Sequence, residues 1–186
     1  MVPIPALWLP ILLSAVVVFI VSSLVHTVLG YHNNDLRKLQ DQDGISDALR
    51  KFSIPTGSYM LPRADSMKDM RSPEFMAKYE KGPVAIMTVF PSARPSMTKS
   101  LVLWFVYCLV VGILSAYASG RALGEGASYL AVFRFAGFTS FVCYAVAGWQ
   151  ESIWFARPWS TTIKNTIDGL IYGLLTAGMF GWLWPR

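Results

Sequence analysis

The chain has 186 residues, of which 54% are hydrophobic and only 15% charged. Soluble domains carry about 25% charged residues, so the composition points away from an ordinary water-soluble enzyme and toward a membrane protein. With a formal charge of +5, the question is on which side of a bilayer the basic residues gather; anionic lipid headgroups explain the excess better than nucleic acid does.

Crossing the hydrocarbon core takes about 20 mainly apolar residues, and four stretches meet that length, roughly 6–30, 101–120, 129–149 and 164–184. The expected fold is therefore an all-α membrane protein with four transmembrane helices and a small mixed α/β or irregular insertion between the first and second. Residues 1–30 supply the first helix, 31–99 the insertion, and 100–186 the other three. The first stretch has no basic residue before Arg37 and ends in "HTVLGYH". That ending lacks a small-x-small cleavage pattern, so the stretch reads as a retained span and not as a secretory signal.

The polar insertion carries 11 of the 16 Lys and Arg residues, whereas only Arg121 falls between the second and third spans and Arg186 at the C-terminal end. By the positive-inside bias, the insertion faces the cytoplasm of a bacterial inner membrane and both termini face out. Within it, "SPEFMAKYEKGP" has a start signal in Ser72 and Pro73 and a stop signal in Gly82 and Pro83, which predicts a short helix. Ile45, Ala48, Leu49 and Phe52 recur at helical spacing and predict a second one. "SYML" and "VAIMTVF" are bounded by Pro and Gly and read as two strands, although the latter fits a lipid interface equally well. Few large apolar groups are available here, so the insertion is expected to be a compact cap held against the membrane and unable to fold alone.

In the fourth span Gly169, Gly173, Ala177 and Gly181 recur every fourth residue, and Cys108, Gly112, Ala116 and Gly120 repeat the pattern in the second. The third has Ala136, Ser140, Tyr144 and Gly148 at the same spacing. Such stripes let backbones approach where lipid offers no hydrophobic drive for association. They are expected to pack the bundle internally, with other membrane subunits or self-association as the alternative use. The seven tryptophans cluster near span ends as an interfacial belt. Cys108 and Cys143 lie in apolar runs with no metal-type neighbour and read as packing residues.

Polar residues gather at the cytoplasmic ends. His26 lies one turn before Gly30, Glu151 at the end of the third span and Asp168 in the first turns of the fourth, with His32 and Asp35 just beyond the first span. Because spans alternate in direction, these groups share one depth, and membrane-embedded ionisable residues are functional candidates by default. The bland alternative is a Lys164–Asp168 pair at helical spacing, with Glu151 reaching water and His26 bonded locally. His26, His32, Asp35, Glu151 and Asp168 are also of the right types for a divalent metal, but His26 and His32 are six residues apart and do not share a helical face. Haem is disfavoured, since only His26 lies inside a span. No phosphate-binding glycine loop, nucleophile elbow, His-Glu-x-x-His or paired-cysteine motif is present.

The segments "LVLWFVYCLVVG", "WQESIWFARPWS" and "DGLIYGLLTAGMFGWLWPR" resemble a group of small bacterial multipass inner-membrane proteins. The resemblance implies a location and brings no activity or catalytic residues. The first expectation for function is thus a non-catalytic accessory or scaffold element of a larger membrane assembly. The alternative is a small membrane enzyme or proton-coupled carrier working through His26, Glu151 and Asp168. A weaker one is a lipid or small-molecule carrier with a cavity between the first, third and fourth spans.

Overall fold

The computed structural model describes residues 1–94 and 96–186 and is mostly helical, with one two-stranded sheet. In chain order the elements are α1 (Trp8–Leu24), α2 (Gln42–Arg50), β1 (Gly57–Leu61), α3 (Met67–Met70), α4 (Pro73–Lys81), β2 (Ala85–Val89), α5 (Thr98–Ala122), α6 (Tyr129–Ala145), α7 (Trp149–Phe155) and α8 (Trp159–Trp182). They form two compact units, Met1–Arg37 with Ser96–Arg186, and Lys38–Pro95.

Three helical stretches of the first unit, Ile4–Leu29, Thr98–Ala122 and Tyr129–Phe155, are long and apolar enough to cross a membrane, with mean hydropathies of 2.6, 2.3 and 1.6. Three of the four expected stretches meet that length and apolarity. Helix α8 has the length, at 24 residues, but starts earlier than expected, and its opening turns hold Thr161, Thr162, Lys164, Asn165, Thr166 and Asp168. Those residues leave it without a long apolar window.

The four long helices close a ring in the order α1, α5, α6, α8, each touching two neighbours. The small-residue stripes make the closest approaches. A Cβ placed on Gly169 would lie 2.7 Å from the Cβ of Ala145, and one on Gly173 would lie 3.1 Å from that of Phe141, so α6 and α8 meet almost backbone to backbone. On the other side of the ring, a Cβ on Gly112 would come within 3.2 Å of Ile11. Ala116 and Ala177 are fully buried, and Gly181 packs on the ring of Tyr129. Gly120 accepts a backbone bond from Val2 at 2.8 Å. The stripes of α5 and α8 are thus used inside the bundle, where dispersion at short range supplies the adhesion. The third stripe ends early: Ala136 and Ser140 are buried, but Gly148 is exposed after the helix tightens to a 3-10 turn at Val146–Gly148.

In the second unit, Ser72 Oγ accepts from the Phe75 N–H at 3.1 Å and Gly82 ends α4 with φ 61°, as its start and stop signals predict. Asp41 caps α2 in the same way by accepting from the Gly44 N–H at 2.9 Å. Strands β1 and β2 pair antiparallel from Gly57 opposite Val89 to Leu61 opposite Ala85. "VAIMTVF" is therefore half of a hairpin-like pair. None of the described residues between 38 and 94 is fully buried.

Candidate functional site

At the end of α1 the chain leaves α-helical geometry. A π-helical turn, Val25–Leu29, carries His26, and Gly30 then adopts the left-handed conformation with φ 63°, a region that glycine enters without a Cβ penalty. These two departures fold Tyr31 and His32 back toward α8. The rings of His26 and His32, six residues apart, come to a centroid separation of 4.6 Å. Regular helical spacing kept them on different faces; the π turn and Gly30 bring them together.

Asp168, only 3% exposed, is the centre of the arrangement. Tyr31 donates its hydroxyl hydrogen bond to one carboxylate oxygen, and His32 Nε2 lies 2.8 Å from the other. His32 Nδ1 lies 2.6 Å from Asp35 Oδ2. Lys164 Nζ donates to Asp35 Oδ1 at 2.8 Å and to the Tyr31 carbonyl at 2.5 Å. Imidazole is therefore held between two carboxylates, and each short contact needs one proton between nitrogen and oxygen. Desolvation acts to raise the Asp35 carboxyl, but hydrogen bonds from Lys164 and His32 outweigh it and hold it down at about 2.

Several expectations change here. Lys164 and Asp168, four residues apart, do not pair with each other; Lys164 pairs with Asp35. Glu151 is exposed on α7, and among the described residues its side chain makes no hydrogen bond or ion pair. His26, His32 and Asp168 do converge: one donor atom from each lies within 4.8 Å of the others. Asp35 stands behind them, on the far nitrogen of His32.

Beside the cluster is a cavity of about 190 Å³, lined among others by His26 and Asp168 and by the aromatic residues Trp104, Tyr107, Tyr144 and Tyr172. The rings brace one another, with Trp104–Tyr107 centroids at 5.7 Å and Tyr144–Tyr172 at 5.5 Å. Trp104 Nε1 donates to Ser22 Oγ at 2.8 Å, and the Tyr107 hydroxyl donates to the Cys143 carbonyl at 2.6 Å. The Tyr172 hydroxyl is buried and has no hydrogen-bond partner among the described residues. A buried polar atom left in that state is costly, and a ligand group is one way to satisfy it.

Sequence reasoning missed Tyr31 and the aromatic lining. Tyr31 sits between Gly30 and His32, where the chain must turn, and that adjacency was the available signal. The aromatic residues come from three helices at different distances from their ends, and no single periodicity joins them. The cavity takes its walls from α5 as well as from the first, third and fourth long helices. The chain matches no family model, no curated protein and no solved structure, so the chemistry of the site rests on its own geometry.

Proposed function

We propose that the chain is a multipass bacterial inner-membrane protein that crosses the bilayer four times and works at the His32–Asp168 cluster as a small membrane enzyme or proton-coupled carrier. Residues 31–99 lie on the cytoplasmic side and both termini outside, an orientation supported by the 11 basic residues of the insertion. Helix α8 serves as the fourth span because Thr161, Thr162 and Asp168 of its polar start are buried against protein and need not meet lipid.

One observation carries the functional reading. A buried carboxylate, Asp168, forms the wall of a cavity and is joined through both nitrogens of His32 to the more peripheral Asp35. An imidazole so placed can accept a proton on one nitrogen and release one from the other. A substrate group in the cavity would have Asp168 on one side and the Tyr172 hydroxyl within the same lining.

The accessory or scaffold reading stands second. In its favour, the charges of Asp35, Asp168, Lys164 and a protonated His32 cancel, as they would in a purely structural network. Against it, the stripes of α5 and α8, whose alternative use was to dock a neighbouring subunit, are consumed within the bundle. Native mass spectrometry of protein extracted gently from its own membrane separates the two. The expected result is a retained small-molecule mass that disappears in Tyr172→Phe and Asp168→Asn. A stoichiometric protein partner, with no small molecule and no response to either substitution, would overturn the proposal.

A further inference from the structure

We propose that His26, His32 and Asp168 form a binding site for a divalent transition metal of the zinc class. The inference rests on the cluster being the functional site, and it favours the enzyme arm of that reading.

The donor set is two imidazole nitrogens and one carboxylate oxygen, all within 4.8 Å of one another. Ligands of one tetrahedral ion, bound at about 2.0–2.2 Å, stand roughly 3.3 Å apart. The cluster therefore has to contract modestly around a cation, while the 2.8 Å His32–Asp168 contact opens slightly. Two imidazoles and a carboxylate suit zinc, iron or nickel better than the all-oxygen shells of magnesium or calcium. Three protein ligands leave a fourth position open, the pattern of catalytic and not structural sites. Two of the three, His26 and Asp168, also line the aromatic cavity.

A second, independent observation is the shell behind the ligands. Metal-binding histidines characteristically donate their other ring N–H to a carboxylate, which fixes the tautomer and the ring. His32 does this: Nδ1 meets Asp35 Oδ2 at 2.6 Å, and Lys164 holds Asp35 from its other oxygen at 2.8 Å. That leaves Nε2, the nitrogen facing Asp168, as the metal-binding atom. Tyr31 anchors the carboxylate oxygen of Asp168 that His32 does not use. The cation replaces the proton now shared between His32 Nε2 and Asp168, and that proton leaves to solvent. With Lys164 and Asp35 cancelling, one carboxylate and two neutral imidazoles face the double charge, so an anionic ligand or a bound hydroxide is favoured at the open position.

The least constrained ligand of the site is His26. Its ring is exposed, and it stacks on His32 without a hydrogen bond among the described residues. His26 can therefore swing toward a cation without breaking a bond, whereas His32 and Asp168 are already fixed.

The test uses the whole 186-residue chain in mild detergent, stripped with a chelator and titrated with Zn²⁺ alone, with Mg²⁺ as the comparison. One Zn²⁺ per chain and no Mg²⁺ binding are expected, with affinity falling at least about 100-fold in His26→Ala and His32→Ala. Asp35→Asn should lose about 10- to 100-fold, the usual consequence of removing a carboxylate behind a ligand. Glu151→Gln should bind as the unaltered chain does. Because His32→Ala removes a member of a buried network and is at risk of misfolding, the unaltered protein is also loaded with Co²⁺. Visible absorption of a low-symmetry site with nitrogen ligands is expected, and its loss in His26→Ala, at an exposed ring, supports the assignment. No Zn²⁺ uptake, no Co²⁺ spectrum, or unchanged affinity in His26→Ala would overturn the metal site. A small molecule still retained in native mass spectra under those conditions would leave the functional reading standing, so the two failures are distinguishable.

Discussion

The helical unit and the insertion unit obey the same local rules and reach different ends. In the insertion, helices start and stop where Asp41, Ser72 and Gly82 dictate, yet no described residue there is fully buried. Even Leu49, on the apolar face of α2, remains 40% exposed. The bundle has weaker local signals, since α1 and α5 lack a side-chain cap, but it closes around residues such as Leu7, Val18 and Phe180 that are entirely buried. Capping and turn chemistry specify an element, while close packing specifies how elements are held together. The first unit has both kinds of constraint at its polar end; the second depends almost wholly on the first kind.

That contrast is open to attack, and the heaviest blow is Gly169→Leu. Its Cβ would already collide with Ala145 at 2.7 Å, so the α6–α8 seam must open. A loss of about 3 kcal/mol or more is expected, at the upper end of overpacking effects, read as a large drop in thermal stability in detergent. An unchanged melting curve would mean that the seam is not tight. Trp104→Phe is a gentler probe of the same unit. It keeps an aromatic ring but removes the 2.8 Å bond to Ser22, and a destabilisation of about 1 kcal/mol is expected because Ser22 keeps its bond to Phe19. The smallest effect belongs to the insertion. Ser72→Ala removes the cap of α4, worth about 1 kcal/mol to the helix. It should accelerate amide hydrogen exchange in residues 73–81 while leaving the bundle transition where it was. A shift of the bundle transition by Ser72→Ala would show that the units are more strongly coupled than their separate packing implies.

The boundaries of α4 and the presence of two strands were legible because Ser, Pro and Gly act through their immediate neighbours, whereas the pairing of the strands was not. The apolar character of three long helices was legible from composition alone. The small-residue stripes were visible by spacing, and the structure supplies their use. The fourth helix was harder: residues 164–184 read as a span, but the opening turns of α8 hold Thr161, Thr162, Lys164 and Asp168 and leave it without a long apolar window. The candidate site was half legible. His26, His32, Asp35 and Asp168 were identified by type, yet their pairing was not, because i,i+4 logic joins Lys164 to Asp168 whereas the tertiary partner is Asp35. Glu151 shared the right depth but stands exposed and unpaired in the described network. Depth along a helix axis is readable from sequence; azimuth around it is readable only while the helix stays regular.

The π turn at Val25–Leu29 makes that last point a matter of phase. One turn of π geometry accommodates an extra residue in a helix that would otherwise close with fewer. Everything after it inherits the offset. A single residue inserted in the regular part of α1, which has no second π turn to absorb it, would rotate the following chain by about 100°, the angular step of an α-helix. His32 and Tyr31 would then face away from Asp168. The site is thus vulnerable to a frame of reference as well as to chemistry: a one-residue insertion in the regular part of α1 would retain every polar group and lose the constellation.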